Sequence, residues 1–388
     1  MSTTPPTNSP APPQRLVSLD AFRGFTIVSM LWVNNMGTEE ARLHQFGHAA
    51  WGEFPTFTDM IFPWFLFMMG CALPYARASR LNRGVSRREF FFGVLRRAFL
   101  LFVLGCIIDS SVSKRVVIGM DVLQLLGLSF LVASFIYELP RAARYTVAAV
   151  FLAAYWALLR FLPLPDAAAG TFTEQVNAIK IINTSLLAPW GLKGFLSIVP
   201  ASALVIMGTW AGDLMRGDFT PTQRIQRLIV FGAIFTAIGL LWHLSIPMNK
   251  ACWTPSYIVY MAGLACFMLA LFYAVIDVAG WRKWAYVFVA FGLNPITAYF
   301  VSIMVRIHTV QEWAKLGADG KPLLNADGKP VTLWTSAINW FVEQFTALAG
   351  GNAQLGKVWG GWAFTLSYIA FWGLVMVWMH RRKIYWRV

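Results

Sequence analysis

Residues 58–78 read TDMIFPWFLFMMGCALPYARA, an apolar run in which Asp59 and Arg77 stand only near the two ends. About 20 such residues are what a helix needs to cross the hydrocarbon core of a bilayer. The pattern recurs along a chain of 388 residues that is 57% apolar and 13% charged, with a mean hydropathy of +0.57. It predicts an all-α polytopic membrane protein of about ten transmembrane helices. The spans fall near residues 18–36, 58–78, 90–109, 120–138, 144–162, 194–215, 227–246, 256–278, 284–305 and 359–379. The first is the least apolar, because Asp20 and Arg23 stand one helical turn apart at its start, where they read as an ion pair that fixes the span.

A net charge of +14 raises the question of nucleic acid, but the basic residues follow the connections instead of forming one basic domain. Arg77, Arg80, Arg83, Arg87 and Arg88 lie on the same side as Arg141 and Arg144, Arg216 and Arg224, and Arg381, Arg382 and Lys383 if the spans alternate. By the positive-inside rule that side is cytoplasmic, and both termini with it. No nucleic-acid partner is expected. Residues 1–14, rich in Ser, Thr and Pro, read as a disordered cytoplasmic tail, and 15–388 as a single transmembrane domain.

The four cysteines have no C-x-x-C spacing, so neither a disulfide framework nor a metal site is expected. A long outer loop at about 306–358 carries ADGKP twice, at 318–322 and 326–330. Its Asp-Gly pairs predict tight turns in a small hairpin. After it, Trp334, Ile338, Phe341 and Phe345 recur at helical spacing and predict an amphipathic helix along the outer surface.

Asn34, His48 and Asp59 fall around the turn between the first two spans, at the outer face on this topology. Polar groups close to hydrocarbon are costly, so an amide, an imidazole and a carboxylate together point to chemistry or a polar pathway. Each also has a plainer reading: Asn34 as an interhelical hydrogen-bonding residue, His48 as a solvated loop histidine and Asp59 as a helix cap. At another outer turn Asn249, Lys250 and Trp253 combine an amide, a cation and an indole, which suits a sugar and equally a membrane-interface anchor. Asn294-Pro295 interrupts the ninth span, where a broken helix can turn polar backbone toward a cavity.

Six fragments in order carry a resemblance: SLDAFRGFTIVSMLWVNN, HAAWGEFPTFTDMIFPWFLFMMG, DVLQLLG, GLKGFLSIVPASALVIMG, IPMNKACWTPSYIVYMAGLA and FGLNPITAYF. Together they resemble the heparan-α-glucosaminide N-acetyltransferase family and its bacterial relatives, described as N-acetylglucosamine-utilisation inner-membrane proteins. The resemblance implies a multi-pass enzyme of the bacterial inner membrane that moves an acetyl group from cytoplasmic acetyl-CoA to the amine of a glucosamine-type sugar at the outer face. On the family pattern His48 matches the active-site histidine, Asn34 the neighbouring active-site asparagine and Asp59 the acid of the motif.

The chemistry gives these residues roles. His48 would take the amine proton as general base, or carry the acetyl group itself. Asn34 would donate to the oxygen that gains charge in the tetrahedral intermediate. The coenzyme A phosphates need cations on the cytoplasmic side, and Arg96 and Arg97 at the start of the third span are the best placed, although arginines there also serve topology. Asn249, Lys250, Trp253 and Asn294 are the expected sugar contacts.

Two features depart from the eukaryotic pattern. Leu125 follows Leu123-Gln124 where those members carry an arginine, and the large lumenal domain of the eukaryotic members is not expected ahead of Arg15. The expected partner is therefore a small amino sugar or short saccharide, with membrane lipid around it. A saccharide transporter on the same fold and a sugar O-acetyltransferase are the alternatives. Gly232, Ala233, Ala237 and Gly239 would suit a helix contact in a homodimer, or packing within one chain.

Overall fold

The computed structural model describes residues 16–386 except 166, 318, 326 and 327; the tail expected over residues 1–14 lies outside the described residues. Thirteen α-helices are described: α1 Val17–Asn34, α2 Phe57–Leu81, α3 Arg87–Ser113, α4 Val122–Tyr137, α5 Arg141–Phe161, α6 Ala178–Ile181, α7 Ile198–Arg216, α8 Pro221–His243, α9 Pro255–Phe272, α10 Tyr286–Leu293, α11 Ser302–Val305, α12 Leu333–Leu348 and α13 Ala353–Arg381. The described residues hold only isolated β-bridges outside the helices.

By length and composition seven helices can cross a membrane, or eight if one sharply bent pair is a single span. The remaining expected spans differ for physical reasons. α1 has the length, but Asp20 and Arg23 dilute its apolar character, and those two pair at 2.8 Å as expected. α4 is apolar but only 16 residues long. The expected span at 284–305 is two helices, Tyr286–Leu293 and Thr297–Val310, at 88° to each other. The Asn294-Pro295 break accounts for the bend, since proline removes a backbone donor and blocks the preceding turn.

α2 and α7 form the centre and are buried along most of their length, while α3, α5 and α8 expose most of theirs. The centre is tight because small residues face each other. A Cβ on Gly70 would sit 2.0 Å from the Val205 carbonyl oxygen, and one on Gly208 would sit 2.1 Å from that of Phe67. This is the close backbone approach that drives helix association where lipid removes the hydrophobic incentive. Gly232 and Gly239 of α8 pack against Phe267 and Tyr260 of α9, whereas Ala233 and Ala237, named with them as a helix-contact face, are exposed.

One end of the bundle is tied by ion pairs. Arg77 grips Glu138 with two bonds of 2.6 and 3.1 Å, and Arg144 meets Asp213 at 3.1 Å beside the Tyr137 hydroxyl. The Asp277 carboxylate accepts the Val17 and Ser18 amides and so caps the start of α1 at this end. α1 rises about 1.5 Å per residue away from it. The α1–α2 connection therefore lies at the opposite end.

There Arg306 Nη1 donates to Asn35 Oδ1 at 2.7 Å and to the Asn34 carbonyl at 2.9 Å, joining the end of α1 to the bent helix. The long loop folds as two adjacent reversals: the Leu323 amide donates to the Lys315 carbonyl and that of Val331 to the Leu323 carbonyl. Gly320 and Gly328 take left-handed backbone, as the Asp-Gly turns require. α12 then lies along α13 through Trp334 and Phe341 against Phe364. It braces α13.

Candidate active site

The α1–α2 connection is built around one carboxylate. Thr56 precedes α2 and Asp59 is its third residue, the spacing at which an acid reaches back to the exposed amides of a helix start. Asp59 Oδ2 accepts the Thr56 amide at 3.1 Å, the Thr56 hydroxyl at 3.1 Å and the Ala49 amide at 3.0 Å. The Tyr257 hydroxyl donates to the Asp59 carbonyl, fixing the same turn against α9.

The other oxygen holds His48. Nδ1 lies 2.7 Å from Asp59 Oδ1, and since a carboxylate only accepts, Nδ1 carries the proton. The contact takes up Nδ1 and leaves Nε2 as the ring nitrogen the site presents. Asp59 exposes only 3% of its side chain while His48 exposes 62%. The acid is the anchor and the imidazole is what the site presents.

Lys250 arrives from the turn before α9. Its Nζ is 3.6 Å from Asp59 Oδ1 and 3.2 Å from His48 Nδ1. Burial lowers the Lys250 pKa, against the opposing pull of Asp59. The turn that delivers it is held by Asn249, whose Oδ1 accepts the Cys252 amide at 2.9 Å and whose own amide donates to Thr254 Oγ1 at 2.9 Å. Trp253 is forced to φ +51°, a strained backbone for a bulky residue. Its ring is buried edge-on against Phe62, 5.6 Å between centroids. Burial pushes the Cys252 thiol up to about 12, so this cysteine offers no thiolate.

These groups line a cavity of about 1230 Å³. His48, Asp59, Asn249, Lys250 and Trp253 all reach it, as five of the expected site residues. Asn34 does not: it is exposed, and its side chain makes no hydrogen bond among the described residues. The buried amide at this end is Asn35, which donates to the Leu31 carbonyl at 2.7 Å and accepts from Arg306. Asn294 also lies elsewhere. It is buried beside the start of α1 and spends its amide on the Ile384 carbonyl at 3.2 Å and the Trp386 N–H at 3.1 Å.

Arg96 and Arg97 part company as successive residues of α3. Arg96 is exposed, whereas Arg97 turns inward with its guanidinium 4.8 Å from the Phe130 ring centroid and its Nε buried without a hydrogen-bond partner among the described residues.

Residues 15–241 match the family model described as "Heparan-alpha-glucosaminide N-acetyltransferase, catalytic". The chain belongs to this family. It is 27% identical over 357 residues to the heparan-alpha-glucosaminide N-acetyltransferase of Homo sapiens, covering 74% of this chain and 52% of that protein. The Mus musculus protein of the same name is 27% identical over 355 residues, covering 74% and 53%. The chain thus spans about half the length of the curated relatives it matches. Within the family segment lie His48, Asp59 and the inward Arg97, while Lys250 and its turn lie just beyond it.

The cavity also takes in residues that sequence reasoning missed. Asp109 near the end of α3 and Asp121 at the start of α4 both line it, with Glu174, Asn183 and Lys193 from the connection before α7. Gln124 Nε2 donates to Asp109 Oδ2 at 2.7 Å. An acid inside the apolar run FVLGCIIDSS was a legible signal, since ionisable groups in spans are rare. Glu174, Asn183 and Lys193 stand in an irregular connection with no period to read.

Proposed function

We propose that this protein is an acetyltransferase of the bacterial inner membrane that moves the acetyl group of acetyl-CoA, bound from the cytoplasmic side, onto the amine of a glucosamine-type sugar held in the cavity at the outer face. The observation that carries this reading is the 2.7 Å bond between His48 Nδ1 and Asp59 Oδ1 at the wall of a large cavity. It holds the imidazole by Nδ1 and leaves Nε2 as the ring atom that would act as general base.

In the reaction the amine nitrogen attacks the thioester carbonyl carbon. The C–N bond forms, the C–S bond breaks, the amine proton passes to His48 Nε2 and the coenzyme A sulfur leaves as thiolate. The protonated imidazole is then stabilised by Asp59, which stays ionised among its donors. Lys250 stands next to this ring and takes the oxyanion-stabilising role that the sequence pattern assigned to Asn34. Coenzyme A, when bound, supplies the activated thioester. The buried, unpartnered Nε of Arg97 suits one of its phosphates, because a guanidinium next to a phosphate makes strong charge-assisted bonds.

The test is direct: purified full-length protein given labelled acetyl-CoA and glucosamine or short glucosaminides is expected to yield N-acetylated sugar. Saccharide accumulation in reconstituted vesicles without acetylated product would replace the enzyme with a transporter.

A further inference from the structure

α3 does not simply stop at the membrane edge. Lys114 takes left-handed backbone at φ +50° and turns the chain back, so that Val116–Gly119 runs as an irregular segment beside the helix end. Ser110 Oγ accepts the Val117 amide at 3.0 Å and ties the segment there. This single layer of chain separates two hollows. On one side is the His48 cavity. On the other is a groove of about 710 Å³ along α3, walled by Phe99, Phe102, Val103, Cys106 and Ile107 and ending at Lys114, Arg115, His308 and Glu312. Val117 and Ile118 line both.

The groove has two chemical zones. Its wall is apolar and open, with Phe99 64% and Ile107 42% exposed. At its end His308 and Glu312 face each other at 3.6 Å, but the side chains of Lys114 and Arg115 are exposed and make no ion pair or hydrogen bond among the described residues. Bulk lipid would explain an apolar wall. Headgroup phosphates would meet cations at its edge, but bulk lipid does not explain why those cations stand at a partition shared with the His48 cavity. An apolar tract, then a cationic step, then a polar cavity matches an amphiphile with a hydrocarbon tail, a phosphate and a saccharide head, in that order.

We propose that the acceptor is lipid-linked: its tail lies on α3, its phosphate sits between Lys114 and Arg115, and its terminal amino sugar passes over Val117 and Ile118 to His48. This deepens the acetyl-transfer reading and rests on it.

The experiment compares two acceptors on full-length protein in nanodiscs: a soluble methyl glucosaminide, and a glucosaminyl polyprenyl phosphate with a photoreactive diazirine in its tail. One variant fills the groove, Val103→Trp with Ile107→Trp; a second, at exposed positions, removes the cations, Lys114→Gln with Arg115→Gln. Each is expected to lower kcat/KM for the lipid acceptor roughly ten-fold or more and to leave the soluble acceptor within about two-fold. Unchanged rates on the lipid acceptor, or equal losses on both acceptors, overturn the proposal.

Photolabelling separates this proposal from the acetyl-transfer reading. If no acceptor is acetylated, that reading fails, and the groove is judged by the label alone: tail label on 99–107, lost in the Trp variant, supports it, and label absent there overturns it. Equal displacement of the label by excess phosphatidylglycerol, which carries no amino sugar, means ordinary lipid docking and also overturns it.

Discussion

Asp59 divides its two oxygens between two tasks: Oδ1 accepts from His48 Nδ1 at 2.7 Å, and Oδ2 takes the amides of Ala49 and Thr56 at 3.0 and 3.1 Å. Asp59→Asn breaks this arrangement whichever way the amide turns, because its NH₂ must face either the imidazole N–H or two backbone donors. The variant is expected to lose about 1–3 kcal/mol of stability from unsatisfied buried groups. Its kcat should fall by roughly 100-fold as the imidazole loses its orientation. Thermal unfolding and steady-state turnover read the two effects separately; wild-type values for both would remove Asp59 from the site.

Lys250 gives the protein a pH dependence of known sign. Burial lowers its pKa from the ordinary 10.5, so between the lowered folded value and 10.5 the unfolded chain binds more protons than the folded one. Stability therefore rises with pH through that window, and the cost of the partly buried cation is fully present below it. Lys250→Met should flatten this rise in the unfolding midpoint plotted across the alkaline range. A variant curve parallel to that of the wild type would show that Lys250 does not titrate in the folded state as described.

The neighbours Asn34 and Asn35 should behave oppositely. Asn35 is buried between Leu31 and Arg306, so Asn35→Ala is expected to cost about 1–3 kcal/mol. The exposed Asn34 should change stability by less than about 0.5 kcal/mol on truncation. Turnover by Asn34→Ala near the wild-type rate would agree with its position off the cavity; a large loss of kcat with stability intact would restore its family-pattern role.

Arg96 and Arg97 separate in the same manner. Arg97→Gln is expected to weaken acetyl-CoA binding by roughly ten-fold, a charge-assisted bond's worth, and Arg96→Gln to leave it unchanged in calorimetry. Equal affinity in both variants would leave Arg97 with its contact to Phe130 alone.

The sequence was most legible where hydropathy or spacing is strong. The span at 58–78, the Asp20–Arg23 pair, the paired Asp-Gly turns and the helix from 333 to 348 all carry periodic or positional signals that the fold honours. The cluster of His48 and Asp59 was legible because polar residues stand out against apolar runs. Which of two adjacent asparagines turns inward was not, since one residue of helix rotates a side chain by about 100° and the deciding partner, Arg306, is remote in sequence. Asn294 failed for a related reason: the break in the helix was readable, but not that the C-terminal segment would occupy its amide. The arrival of Lys250 at His48 depends on a turn strained at Trp253, which no local propensity favours.

The central claim is that the imidazole held by Asp59 removes the amine proton during acetyl transfer. The decisive measurement is the rate of labelled acetyl transfer from acetyl-CoA to a glucosamine acceptor by His48→Gln, which keeps a side chain of similar reach but no base. A fall of roughly 100-fold or more, with acetyl-CoA affinity unchanged by calorimetry, is expected; transfer at the wild-type rate by the folded variant would contradict it.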